Sequence, residues 1–159
     1  MFQDERSGKF ALVAHCLLNQ NSRAVGLAKR SSVINEIVEF LVRKEIGIIQ
    51  MPCPELAYAG VSRQPKTREQ YENAKFRGCC RKLTGEIADQ VKEYADCGIK
   101  LKIVLGVEGS PSCSVKEILG IFMEELRSKL DKRGILAPFY GISFERVKND
   151  IIELEKLVK

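Results

Sequence analysis

Short apolar runs alternate along this chain with longer segments in which apolar residues recur at helical spacing. The runs are four to six residues long, which is typical of strands that are buried on both faces. Three of them lie at residues 9–14, 48–51 and 101–105, and residues 134–138 predict a short fourth strand.

The longer segments predict four helices, at residues 33–46, 67–96, 115–132 and 144–157. Ser31 and Ser32 are candidate caps for the first helix, and Ser143 is one for the last. Gly78 and Gly85 are candidate breaks in the long second helix.

Prolines flank Cys53, and this argues against a helix or a central strand at that point. Residues 52–55 are therefore predicted to form a loop that leaves the second strand, and residues 56–66 are predicted to be irregular. The resulting order βαβαβαβα is typical of a mostly parallel sheet with helices on both faces. We predict a single Rossmann-like, three-layer α/β domain over residues 1–159, with a short sheet of about four strands.

Composition narrows the classes of function. Apolar residues make up 45% of the chain and charged residues 30%, so a packed core is expected and global disorder is not. The net charge of +5 comes without a dense Lys/Arg cluster, so it gives no specific indication of a nucleic-acid module. The N-terminal residues carry no apolar signal segment and no run approaches a membrane span, which predicts a cytoplasmic protein without a membrane partner.

Six cysteines then need an explanation, because disulfides are rare in cytosolic proteins. Cys16, Cys53 and Cys113 each follow a different predicted strand. The carboxyl ends of parallel strands meet at one edge of a sheet, where ligands bind in open α/β folds. We therefore expect these three cysteines to form a shared site.

The other cysteines occur in a different setting. Cys79 and Cys80 are adjacent in a predicted helix, so their side chains diverge, and Cys97 lies at a helix end near the opposite edge of the sheet. We interpret all three as structural residues that are not needed for metal binding.

The spacing of three thiols leaves the identity of a bound metal open. A structural zinc site needs a fourth ligand, and His15 is a strained candidate because it precedes Cys16 on a predicted strand, where neighbours point to opposite faces. Three thiolate ligands without a fourth protein ligand suit an iron–sulfur cluster in which one iron stays free to bind a substrate atom. Three cysteines without a metal remain the alternative.

The cysteine segments together resemble those of the thiouracil desulfidase family, which includes tRNA thiouridine desulfidases. The matching segments are Cys16-Leu17-Leu18, Cys53-Pro54-Glu55 and Ser110-Pro111-Ser112-Cys113, in the same order and loop positions. The resemblance runs from the first strand to about residue 120. It implies a 4Fe-4S cluster held by Cys16, Cys53 and Cys113, whose fourth iron abstracts sulfur from a thiocarbonyl.

The resemblance also implies roles for other residues. Glu55 and Ser110 match polar positions and are the predicted catalytic residues, with Glu55 moving protons. Ser112, Arg23 and Arg63 are predicted to bind substrate.

Other positions match or depart from the family pattern. Arg23 and Gly26 match it, and Arg63 with Pro65 is similar to an arginine–proline loop of the family. At four positions that are expected around the pocket, the family often has residues other than those of this chain. These positions are His15, Asn19, Ser22 and Ser114. The differences leave the identity of the substrate undetermined.

The function predicted first is hydrolytic removal of sulfur from a thiolated base or nucleoside. A tRNA substrate is compatible with the family but is not indicated, because the chain shows no RNA-binding appendage. A non-enzymatic metal-binding or redox-sensing protein is the second hypothesis. A metal-free protein with a reactive thiolate at Cys16 or Cys113 is the third.

Overall fold

Four parallel strands form the central sheet of the computed structural model, which describes residues 2–159. In the order in which they pair across the sheet, the strands are β2 (Gly47–Gln50), β1 (Lys9–Val13), β3 (Lys100–Val107) and β4 (Phe139–Ile142). All three pairings between neighbours are parallel. This confirms the predicted α/β class and the mostly parallel sheet.

In the described part of the chain, seven helices surround the sheet, and a short 3₁₀ turn at Gln20–Ser22 follows the first of them. The helices are α1 (His15–Leu18), α2 (Asn35–Arg43), α3 (Pro54–Ala59), α4 (Arg68–Tyr71), α5 (Ala74–Asp96), α6 (Ile121–Lys132) and α7 (Val147–Leu157). α5 packs against α6 and α3, and α2 packs against α7. Within residues 2–159, none of these helices combines the length and the apolar character that crossing a membrane requires.

The two inner strands form the centre of the core. Ala11, Leu12 and Val13 of β1 and Ile103 and Val104 of β3 are fully buried. Successive side chains of a strand point to opposite faces, so burial of consecutive residues means that both faces of the sheet are covered. This explains why the strands appear in the sequence as unbroken apolar runs.

The prediction for the segment after β2 was wrong. Residues 54–59 form helix α3, with Pro54 in its first turn and Cys53 as its N-cap. Proline is well suited to this position, because its fixed φ is helical and the first turn lacks partners for backbone N–H groups. A proline after the cysteine therefore marks the start of a helix here, and residues 56–66 are only partly irregular.

Several predicted helix boundaries also differ. α2 begins at Asn35 without a side-chain cap, so neither Ser31 nor Ser32 caps it. The long helix breaks at residues 72–73, and neither Gly78 nor Gly85 interrupts α5. Asn73 causes the restart, because its side chain accepts a hydrogen bond from the Phe76 N–H at 2.9 Å.

In the C-terminal third, each element starts later than predicted. α6 begins at Ile121 rather than near residue 115, because residues 108–120 form a folded loop. β4 occupies residues 139–142 instead of 134–138. α7 begins at Val147 with Arg146 at its N-cap, so Ser143 does not cap it.

Candidate active site at the carboxyl edge of the sheet

Three cysteines from three strand-to-helix connections line one cavity of about 50 Å³. Cys16 is in α1 directly after β1, Cys53 precedes α3 after β2, and Cys113 lies in the loop after β3. The cavity is at the carboxyl edge of the sheet, where the sequence places all three residues.

Backbone hydrogen bonds continue the sheet beyond its strands and hold these connections together. The Ala14 N–H donates to the Leu105 carbonyl at 2.9 Å, and the Met51 N–H donates to the Val13 carbonyl at 2.8 Å. Val107 donates to the Cys113 carbonyl at 2.9 Å, which folds the third loop back onto β3. The three cysteines are thus held by the sheet itself.

Two glycines allow the Cys113 loop to pack this closely. A Cβ at Gly106 would lie 2.1 Å from the carbonyl oxygen of Cys113, and one at Gly120 would lie 2.3 Å from the carbonyl carbon of Ser112. Both contacts are with backbone atoms, which cannot rotate away. Any other residue at either position would displace the loop that carries Cys113.

The loop is also held by Glu108, a residue that no motif in the sequence indicated. Its carboxylate accepts hydrogen bonds from the backbone N–H groups of Val115 at 2.8 Å and Lys116 at 3.0 Å. Glu108 follows an apolar run, but nothing in the local sequence shows which amides it reaches.

Burial strongly affects the three thiols. It raises the pKa of Cys16 to about 11, raises that of Cys53, and raises that of Cys113 well above its ordinary value. The neighbouring thiols act in the same direction on Cys16 and Cys113. The free thiols are therefore neutral near pH 7, and a metal would have to displace their protons in order to bind.

Each sulfur has a different polar neighbour. Arg23 Nη1 lies 3.9 Å from Cys16 Sγ, and Arg63 Nη2 lies 4.0 Å from Cys53 Sγ. The Ser112 hydroxyl lies 3.7 Å from the sulfur of the adjoining Cys113. These contacts place the three predicted substrate-binding residues on the cavity wall, beside the cysteines.

Glu55 is the acidic residue of the cavity and is almost fully buried. Its Oε2 accepts a hydrogen bond from Ser112 Oγ at 2.6 Å, and Ser110 Oγ lies 3.5 Å from the same oxygen. Its Oε1 lies 3.6 Å from Arg63 Nε. The carboxylate is thus held from both sides beside the cysteines.

Ser110 also shapes its own turn. Its hydroxyl accepts hydrogen bonds from the backbone N–H groups of Cys113 at 3.0 Å and Ser112 at 3.3 Å. It lies 3.2 Å from the Ser112 hydroxyl. The two predicted catalytic residues, Glu55 and Ser110, therefore belong to one hydrogen-bonded group.

Among the residues that the structure describes, two arginine nitrogens at the cavity have no hydrogen-bond partner. They are the Nε atoms of Arg23 and Arg63, and both are buried. Arg63 Nε faces Glu55 at a distance that is longer than a hydrogen bond. Within the same described residues, the Tyr71 hydroxyl is a third buried group without a partner, and the Tyr71 ring lies 6.3 Å from that of Tyr58 in α3.

The remaining cysteines lie outside the cavity wall. Cys79 and Cys80 are within α5, and Cys97 is its C-cap. His15 does line the cavity, but it begins helix α1, so its predicted place on a strand was wrong. Among residues 2–159, no three His, Cys, Asp or Glu side chains are grouped closely enough to hold one metal ion.

The positions that depart from the resembled pattern have varied surroundings. Asn19 accepts a hydrogen bond from the Asn21 N–H, and the buried Ser22 donates to the Asn19 carbonyl at 2.8 Å, so both shape the 3₁₀ turn. Ser114 lines an adjoining cavity of about 530 Å³ that shares Ser110 with the cysteine cavity. Pro65 is exposed.

Gln20 is a further residue of the site that was not predicted from the sequence. It is buried in an otherwise polar loop, where its amide nitrogen donates to the Cys16 carbonyl at 2.8 Å. Its amide oxygen accepts from the Lys29 N–H at 2.8 Å. Gln20 therefore ties the first cysteine to the loop that follows, and no local pattern distinguishes it from its polar neighbours.

The family of proteins described as "Putative 2-thiouracil desulfurase" matches residues 9–152 of the chain. The chain belongs to this family. Membership confirms the resemblance drawn from the three cysteine segments. An uncharacterized protein of the archaeon Methanocaldococcus jannaschii, MJ0003, is 37% identical over 155 residues, which cover 95% of this chain and 97% of that protein. No solved structure matches the chain.

The region shared with the 2-thiouracil desulfurase family begins with the first residue of β1 and ends within α7. It therefore includes every residue that lines the cysteine cavity. The family's name suggests a desulfurase that acts on a small molecule of the thiouracil type.

Proposed function

We propose that this chain removes sulfur hydrolytically from a thiolated pyrimidine, such as 2-thiouracil, in the cysteine cavity. The observation that carries the proposal is that three cysteines and a buried carboxylate line the same small cavity. Thiols supply a donor set for a soft metal, and the carboxylate of Glu55 can move protons beside it. The name of the family supports the same type of substrate.

A 4Fe-4S cluster held by Cys16, Cys53 and Cys113 is the cofactor that we propose. Thiolates are the usual ligands of such clusters, and each can bind a different iron, so the three sulfurs need not converge on one ion. The buried Nε atoms of Arg23 and Arg63 without hydrogen-bond partners are donors suited to anionic sulfur. The donor set of the cavity therefore fits the cluster.

When bound, the cluster would supply an open iron, a Lewis acid with affinity for the thiocarbonyl sulfur. The protein's own part is proton transfer and positioning. Glu55 takes a proton from the water that attacks the thiocarbonyl carbon. Ser112 holds the carboxylate through Oε2 at 2.6 Å, and Ser110, in the same hydrogen-bonded group, orients the pyrimidine ring.

The reaction balances without electron transfer. A bond forms between the ring carbon and the oxygen of water, the carbon–sulfur bond breaks, and sulfur leaves as hydrosulfide. The proton held by Glu55 returns to the products, which are the oxo-pyrimidine and hydrogen sulfide. Because nothing is oxidised or reduced, no external electron donor is needed.

Anaerobic reconstitution with iron and sulfide, followed by incubation with 2-thiouracil, tests the proposal. We expect sulfide and uracil to appear in equal amounts. Glu55→Gln should keep its iron but turn over about 100-fold more slowly, since it removes the proton acceptor. Cys113→Ser should lose the cluster or hold it weakly. Iron-loaded protein that releases no sulfide from any thiolated base or nucleoside would refute the activity.

A further inference from the structure

Two arginines reach the cysteine cavity from separate loops, and each lies against the sulfur of a different cysteine. Arg23 follows the 3₁₀ turn after α1, and its Nη1 is 3.9 Å from Cys16 Sγ. Arg63 follows α3, and its Nη2 is 4.0 Å from Cys53 Sγ. Both guanidinium groups line the cavity.

The charges around the cavity do not balance while the cysteines are thiols. Among the described residues that line it, Glu55 is the one acidic side chain, whereas two guanidinium groups, those of Arg23 and Arg63, line the same cavity. Buried charge is unfavourable unless it is paired. The Nε atoms of both arginines are nevertheless buried without hydrogen-bond partners. The cavity is therefore built for an occupant that brings negative charge.

We propose that Arg23 and Arg63 are counter-charge residues that retain an anionic iron–sulfur group, with Arg23 acting on the Cys16 thiolate and Arg63 on the Cys53 thiolate. The inference rests on the proposed cluster. It gives the arginines a role different from the substrate contacts predicted from the sequence. Each guanidinium stabilises the negative charge of the neighbouring thiolate, so removing it weakens retention of iron and makes reduction of the group harder.

Arg23 gives the clearer test. Besides Cys16, it contacts the ring of Phe144, at 5.0 Å from the ring centroid. Arg63 also donates to the Gly60 carbonyl at 3.1 Å and pairs with Glu55, so its removal disturbs the fold as well. Without metal, Arg23→Gln should therefore unfold within about 2 °C of the wild type.

The experiment compares Arg23→Gln, Arg23→Lys and Arg63→Gln after anaerobic reconstitution. Arg30→Gln is the matched control, because Arg30 lies in the same loop as Arg23 but pairs with Glu36 at 2.8 Å. The measurements are the rate of iron loss to a chelator and the midpoint potential of the bound group. We expect both glutamine variants to lose iron about tenfold faster or more, and their potentials to become more negative. For Arg23→Lys, the rate of iron loss and the potential should lie between those of Arg23→Gln and the wild type. For the control Arg30→Gln, both quantities should equal those of the wild type.

Three outcomes would count against the proposals, and they can be distinguished. Unchanged iron loss and potential, together with a raised KM for 2-thiouracil, would make the arginines substrate contacts and overturn the inference. Metal-free Arg23→Gln that unfolds far below the wild type would assign Arg23 to the fold, with the same consequence. Wild-type protein that retains no iron would instead refute the proposed cofactor.

Discussion

The substitution Ser112→Ala should destabilise the protein through Glu55. Ser112 is almost fully buried, and its hydroxyl donates to Glu55 Oε2 at 2.6 Å. Alanine fits the space but leaves a buried carboxylate oxygen without its shortest hydrogen bond. Hydrogen bonds to charged groups contribute about 1.5–3 kcal/mol to stability.

The remaining neighbours of Glu55 reduce this loss. Ser110 Oγ lies 3.5 Å from the same oxygen, and Arg63 Nε lies 3.6 Å from the other oxygen. We therefore expect Ser112→Ala to lower the free energy of unfolding by about 2 kcal/mol. For a domain of this size, that loss lowers Tm by roughly 4–8 °C.

A double-mutant cycle on metal-free, reduced protein tests the pairing directly. Denaturant unfolding is measured for the wild type, Ser112→Ala, Glu55→Gln and the double variant. If Ser112 acts through Glu55, the two changes should be non-additive by about 1–2 kcal/mol. Ser62→Ala is the control, because Ser62 is exposed and should change stability by less than about 0.5 kcal/mol.

Additive effects in this cycle would refute the reasoning, because they would mean that the 2.6 Å contact contributes no coupling to stability. Additivity means that Ser112→Ala destabilises the protein equally with Glu55 and in the Glu55→Gln variant. In that case the serine would act through its own loop.

Further predictions concern the Cys113 loop and the cysteines of α5. Gly120→Ala should destabilise the protein by about 3 kcal/mol or more in thermal unfolding, because its Cβ would lie 2.3 Å from backbone; Gly78→Ala, with open space around it, should stabilise α5 by about 0.5–1 kcal/mol. Burial raises the pKa of Cys80 to about 12. The contribution of this neutral buried thiol to stability is therefore fully present below the pKa of the unfolded state, and it is lost as the pH rises from about 9 to 12. Urea midpoints should fall less steeply with pH for Cys80→Ala than for wild type, and parallel curves would contradict this. Replacing Cys79, Cys80 and Cys97 together should leave the iron content after reconstitution unchanged, and loss of iron would show that one of them binds metal.

The meeting of the three cysteines could be predicted because it follows from local patterns. Each buried strand is an apolar run, and Cys16, Cys53 and Cys113 each occur within a few residues of a strand's carboxyl end. Parallel strands bring these ends to one edge of the sheet whatever the details of packing. Exact helix boundaries were not needed for that conclusion. The small shared cavity also requires that the three strands be neighbours, as β2, β1 and β3 are.

Helix boundaries near the site were less predictable, because Pro54 is compatible with two opposite predictions. Pro54 excludes a helix interior but favours a first turn. The choice depends on how α3 packs against α5, which lies more than ten residues further along the chain. The same applies to Gly78, which does not break a helix that its packed neighbours hold together.

Sequence alone therefore determined the fold class, which three cysteines share a site and the edge of the sheet at which they lie. Apolar runs that mark strands are a local feature of the sequence, and the shared edge is a property of every parallel sheet. Tertiary structure decided what surrounds the sulfurs. Ser112 and Glu55 are 57 positions apart, and Arg63 is ten positions from the cysteine that it contacts. Hydrogen bonds and charge contacts act over a few ångströms in space, and only the packed chain brings such distant groups within that range.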